Sequence, residues 1–387
     1  MPSLRPGQLA ECRRCARLLA GPATGRVDAP LALAVGALLL LVPATVAPLL
    51  RVVSYGAVRT SWLASGIGGL WVQGFPSLAA VTAAFSVAFP YLYLVLLIGV
   101  LWSLRLGGGV YLGGVFRWLV RLRPWMMLEI FLVACYVAYS RLRMVATVQV
   151  LVGGWCLLAA SLTLLLALTQ LDERTVWETL PVREYKAPAR GGRAIACTVC
   201  ELVVSDAKPG MACLRCGAAL HARKPYSFSA TAALVAAGFL LYVPANVLPV
   251  LTLVSLGRRQ SSTIMSGVFQ LIHNRLWPLA LIVFLASILV PLMKLCGLTW
   301  LLLATLQRSP RLLIARTRFF RLIDTVGPWS NIDIFVVSVL VALLRFGTLA
   351  QARAGEGLIA FAAVVILTML ATRAFDTRLM WDAPQEG

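Results

Sequence analysis

Four cysteines, in "CTVC" at 197–200 and "CLRC" at 213–216, stand as Cys-x2-Cys-x12-Cys-x2-Cys in a polar stretch. That spacing lets two tight knuckles offer four thiolates to one tetrahedral ion, zinc before iron. The stretch is too short and polar to build its own core, so Cys197, Cys200, Cys213 and Cys216 are expected to fold around the metal. A reducing compartment argues against two disulfides. "CRRC" at 12–15 matches the second knuckle at an offset of 201 residues. Its first knuckle would fall before Met1, so Cys12 and Cys15 are expected to form a partial metal site, either metal-free or sharing an ion with another group.

The other residues able to do chemistry are charges inside apolar runs. Lys294 lies in "VPLMKLCGL", Asp333 in "PWSNIDIF" at 328–335 and Glu129 in "PWMMLEIF" at 124–131. A charge within a bilayer is costly and by default marks a partnered or functional group. An ion pair between Lys294 and Asp333 on adjacent helices is the simplest neutralisation, as a structural contact or as part of a proton path.

The elements that must position these groups follow from hydropathy. The 387 residues are 60% hydrophobic and 13% charged, with a mean hydropathy of +0.86, outside the range of soluble domains. A helix needs about 20 apolar residues to cross a bilayer. Eight runs qualify, near 31–50, 76–102, 125–140, 147–171, 230–256, 277–306, 329–348 and 358–374. Residues 1–29 carry five arginines and lack a short apolar core with a cleavage site, so no cleavable signal peptide is expected.

With both termini cytoplasmic, 25 Lys and Arg fall on the cytoplasmic side against 8 in the opposite loops, the expected positive-inside bias. That bias accounts for most of the net charge of +20, so nucleic acid is not expected as a partner. Non-cytoplasmic segments 51–74 and 257–276, rich in Gly, Ser and Trp, either dock a partner or connect spans. "GGGVYLGG" at 107–114 lacks the strand and Lys-Ser/Thr of a phosphate loop and reads as a flexible loop. No Walker motif or hydrolase nucleophile is visible, so the chain is not expected to be an enzyme.

The two halves align on themselves. "VPATVAPLL" at 42–50 matches "VPANVLPVL" at 243–251, and "FSVAFP" at 85–90 matches "ASILVP" at 286–291, at an offset of 201. Further along, Pro124-Trp125 matches Pro328-Trp329 and Glu129 matches Asp333, at 204. Such ordered matches indicate duplication. The expected fold is an all-α polytopic membrane protein of eight helices, arranged as two parallel four-helix repeats with a cytoplasmic zinc-ribbon module between them. The domains then run 1–29 (partial ribbon), 30–171, 172–229 (linker and ribbon) and 230–387.

The repeat separates shared scaffold from later polarity. Lys294, Ser330 and Thr368 align with Tyr93, Met126 and Leu164, whereas Ser287 and Asp333 have polar counterparts in Ser86 and Glu129. Lys294, Asp333, Ser287, Ser330 and Thr368 are therefore expected to line a polar pocket or proton relay. Asn246 joins them if Pro244 and Pro249 kink the fifth helix. Glu129 is expected to stabilise the first bundle near its interface.

The ribbon knuckles, "RKPYSFSATAAL" with "YVPANVLPV", "SILVPLMKL", "GPWSNIDIF" and "FDTRLMWD" resemble the paraquat-inducible protein A family over the whole chain, most densely from 213 to 382. The departure is the half-ribbon at the N-terminus. The resemblance implies an inner-membrane protein of Gram-negative bacteria that works with a periplasmic MCE-domain tunnel protein, moving phospholipid or other lipophilic molecules across the envelope. Two other readings stay open: a membrane redox or thiol protein using the four-cysteine site, and a passive anchor for the tunnel.

Overall fold

The computed structural model describes residues 10–12, 18–20, 27–54, 57–107, 109, 111–143, 146–182, 194–255, 258–309, 312–344 and 350–382. Eight helices among them are long and apolar enough to cross a membrane: Asp28–Val46, Pro76–Arg105, Leu112–Leu142, Val152–Gln170, Ser227–Val247, Trp277–Leu306, Leu313–Leu343 and Gly357–Ala374. The element order of residues 28–179 recurs over 227–382: span, β-hairpin, short helix, two spans, strand, span and a short terminal helix.

The expectation of an all-α chain is corrected by two three-stranded antiparallel sheets. Leu50–Ser54 is central between Ala57–Ser61 and Thr147–Val150, and Leu251–Ser255 is central between Arg258–Ser262 and Ala350–Ala354. The first sheet and the central strand Leu251–Ser255 of the second carry Val and Thr, which suit a pleated surface. In sequence they merge with the neighbouring apolar runs, so the fifth run, read as 230–256, is a helix that ends at Val247 followed by a strand.

The prolines explain that end. Pro244 lies in the last turn and Pro249 beyond the helix, with Leu248 N–H donating back to the Pro244 carbonyl at 3.0 Å. Pro43 and Ala47 repeat the arrangement at 2.8 Å. The prolines therefore stop these helices rather than kink them in mid-span.

The second and sixth spans each contain one π-helical segment, Ala84–Ala88 and Leu285–Leu289. Pro90 and Pro291 follow closely. Each lacks the N–H that the carbonyl four residues earlier would accept from, and the backbone widens there. The third and seventh spans are each broken by a 3-10 turn, at Arg123–Trp125 and Gly327–Asn331. Beyond the breaks, Leu128–Leu142 has 15 residues and Ile332–Leu343 has 12. At 1.5 Å per residue these are about 22 and 18 Å long, short of a bilayer core of about 30 Å.

The halves pack against each other through Ile332–Leu343, which contacts both Leu128–Leu142 and Leu63–Val72. Phe131 and Phe335 meet edge to face at 5.4 Å. Gln73 crosses the boundary, donating to the Ala352 carbonyl at 3.0 Å and accepting from Ala354 N–H at 2.8 Å, and so ties the first half to a sheet edge of the second.

Candidate functional site

Cys197, Cys200, Cys213 and Cys216 are buried, and their sulfurs all lie within 4.8 Å of one another. The Cys197–Cys216 and Cys200–Cys213 separations are 3.6 and 3.5 Å. Four sulfurs about 2.3 Å from a shared ion would stand about 3.8 Å apart by tetrahedral geometry, so the donor set fits a metal and not two disulfides. Each knuckle is closed by backbone bonds: Cys197 N–H to the Leu202 carbonyl at 2.8 Å and Cys213 N–H to the Ala218 carbonyl at 2.7 Å. The residue after each second cysteine, Glu201 or Gly217, turns the chain at positive φ. The crowded sulfurs share protons unequally. Hydrogen bonding from Cys200 brings the Cys197 thiol down to about 6, and bonding from Cys197 lowers Cys213 as well. Thiolates are the metal-binding form.

The four-cysteine unit is docked rather than hanging from a linker. At Gly113, in the first turn of Leu112–Leu122, a Cβ would collide with the Arg215 carbonyl, so the second knuckle's backbone rests where that glycine clears space. "GGGVYLGG", expected to be only a flexible loop, therefore supplies a docking point. Phe116 packs edge to face on Trp177 at 4.7 Å, within the same apolar core as the cysteines. Cys12 follows the short strand Ala10–Glu11, and Cys15 lies outside the described residues.

Lys294 is fully buried. Its Nζ donates to the Gly327 carbonyl at 2.7 Å, to Ser330 Oγ at 3.2 Å and to Thr368 Oγ1 at 3.4 Å. The hydroxyl protons are committed elsewhere, from Ser330 to the Gly327 carbonyl at 2.8 Å and from Thr368 to the Val365 carbonyl at 2.9 Å. Both oxygens thus turn lone pairs to the ammonium, and its three N–H donors have three acceptors. The aligned residues Tyr93, Met126 and Leu164 are equally buried, with Tyr93 OH unpartnered. The cluster is a property of the second half alone.

Three expectations are corrected here. Lys294 and Asp333 do not form an ion pair; dipoles and hydroxyls hold Lys294, and Asp324 is the acid that acts on it through space. Asp333 is buried with Ser287, which sits in the π-helical turn and faces it too loosely for an ordinary hydrogen bond, so Ser287 Oγ and Asp333 Oδ2 both lack one. Arg141 of the first half is the cation within electrostatic range of Asp333. Asn246 stays out of the cluster, because it lies in the last turn of its helix and its Nδ2 donates to the Tyr242 carbonyl at 2.9 Å. Glu129, expected near the interface of the first bundle, lies in the first turn of Leu128–Leu142.

Two members of the site were missed in the sequence. Gly327 supplies the carbonyl freed by the 3-10 break, and Asn331 is fully buried, donating to the Pro328 carbonyl at 3.2 Å with its Oδ1 unpartnered. At the offset of 204, Asn331 aligns with Met127. The comparison of halves that picked out Ser330 would have found it.

The profile of the family described as paraquat-inducible protein A matches residues 27–181 and 228–385, both four-span blocks without the cysteine unit. This chain belongs to that family. Among its family relatives, the intermembrane transport protein PqiA of Escherichia coli K12 is 30% identical over 398 residues, covering 100% of this chain and 94% of that protein. The lipophilic envelope-spanning tunnel protein A of the same strain is 32% identical over 388 residues, covering 100% and 90%. A probable intermembrane transport protein of Haemophilus influenzae is 26% identical over 384 residues, covering 98% and 92%. No solved structure matches. The chain is thus an integral membrane member of a paraquat-inducible protein A family whose named relatives are transport proteins.

Proposed function

We propose that this chain is the inner-membrane component of a system that moves phospholipid or another lipophilic molecule across the Gram-negative envelope, partnered by a periplasmic MCE-domain tunnel protein. The observation that carries the reading is the Lys294 cluster: a cation buried among apolar helices, held by a free carbonyl and two hydroxyls, with no counter-ion in contact among the described residues. A proton arriving or leaving there has no adjacent acid to compensate it, so protonation and the arrangement around Gly327–Asn331 are coupled. Asp333 with Ser287, one turn along from Ser330, extends the polar track toward Arg141 of the first half.

In this reading both termini and the cysteine unit are cytoplasmic, the two sheets face the periplasmic tunnel, and the two halves are copies of one four-span unit. The domains are 1–29, 30–171, 172–229 and 230–387. Cys197, Cys200, Cys213 and Cys216 hold structural zinc that fixes the linker against the first half. The test is growth complementation by Lys294→Ala and Asp333→Asn beside Glu129→Gln. The reading expects the first two to fail and the third to succeed; full activity of the first two contradicts it.

A further inference from the structure

On the side of the molecule that carries the cysteine unit, the two halves leave an open cleft of about 580 Å³. Its walls include Phe85, Phe89, Trp118 and Trp125 of the first half, and its charged groups are Arg121 and Arg373, one from each half. None of the described residues lining it is acidic. The Arg373 guanidinium lies 5.6 Å above the Trp125 ring, and Arg121 lies 5.7 Å above Trp118. Neither guanidinium forms an ion pair with a described residue, although arginines elsewhere on this side do, Arg123 with Glu173 and Arg223 with Asp382. Asp324 reaches Arg373 only as a charge through space.

Two arginines fixed on tryptophan faces, with their N–H forks uncommitted, suit a phosphate better than any other common membrane group. Both sit in the last turn of their helices, the headgroup level at which aromatic residues anchor to lipid. Phe85, whose ring lies 5.8 Å from Trp125, and Phe89 continue the wall inward along the π-helical turn. We propose that this cleft binds one phospholipid from the leaflet on the cysteine-unit side, its phosphate between Arg121 and Arg373 and its acyl chains along Phe85 and Phe89. The inference rests on the lipid-transport reading and makes the cleft a lateral lipid station at the boundary between the halves.

The test is native mass spectrometry of the full chain in detergent, titrated with phosphatidylglycerol. Wild type and the exposed-surface control Arg318→Gln should retain a lipid adduct. The Arg121→Gln/Arg373→Gln pair should weaken it at least about ten-fold, the scale of a lost charge-assisted contact. The Arg121→Lys/Arg373→Lys pair, which keeps the charge but not the planar fork, should retain an intermediate adduct, and an unchanged thermal midpoint reports that each variant is folded. If the double glutamine variant does not purify, Arg121→Gln alone gives the same reading, because that side chain is exposed. An undiminished adduct in the folded glutamine variant overturns the site and leaves the reading based on Lys294 standing. An adduct displaced by inorganic phosphate overturns the assignment to lipid.

Discussion

The ammonium of Lys294 is bound at 2.7 Å by the carbonyl of Gly327, the residue at which the seventh span breaks. The contact joins a cation to a discontinuity in a neighbouring helix. A Cβ at Gly327 would lie 3.3 Å from Lys294 Cε and 3.4 Å from Nζ. Gly327→Ala should push the ammonium off its acceptor, at a cost of about 1–3 kcal/mol, and lower complementation in the same direction as is expected of Lys294→Ala. Gly68→Ala, where the added methyl meets nothing within 4 Å, is the matched control, and thermal midpoints beside growth read the difference.

Adjacent glycines separate docking from metal binding. Gly113→Ala places a methyl against the Arg215 carbonyl, whereas Gly114→Ala meets nothing within 4 Å. The first should loosen the cysteine unit, by about 1–3 kcal/mol for overpacking, and raise protease cleavage within 194–225 while the metal stays bound. Cys200→Ser or a chelator should instead remove the metal, read by elemental analysis.

The boundary between halves has its own close approach. At Gly66 a Cβ would collide with Ser338 Oγ and lie 2.8 Å from the Ser338 carbonyl. Gly66→Ala should therefore lower the thermal midpoint and weaken association of separately expressed halves, while Gly68→Ala leaves both unchanged.

One pH dependence lies outside the membrane. Arg223 donates two hydrogen bonds to Asp382 and holds its carboxyl below the ordinary carboxylate range. The folded-state value is depressed, so the stabilisation is complete above the unfolded value of about 3.9 and is lost as pH falls through the depressed one. Both side chains are 41% exposed, and the pair contributes about 0.2–1 kcal/mol after solvent screening. The difference in thermal midpoint between wild type and Asp382→Asn should be measurable at neutral pH and vanish in strong acid.

Hydropathy made eight spans legible, and cysteine spacing made the four-cysteine cluster legible, because both are local patterns. The offset between halves picked out Lys294, Ser330 and Thr368, since polarity present in only one of two copies is not required by the fold they share. The strand at Leu251–Ser255 was hidden because its apolar residues continue those of the span before it. The Lys294–Asp333 pairing failed because opposite charges on neighbouring spans say nothing of the backbone carbonyl that a helix break exposes. Asn246 was misplaced because a proline in the last turn ends a helix that the same proline in mid-span would bend.

The central claim is that the Lys294 cluster lies on a lipid path, and photo-crosslinking tests it most directly. A photoreactive residue would replace Trp329, an exposed neighbour of Ser330, with a second placed at Leu165, exposed on the first half. The account predicts phospholipid captured at 329 with Lys294 present, a loss of about ten-fold or more in Lys294→Met, and capture at 165 indifferent to that change. Equal capture at 329 with and without Lys294 would contradict it.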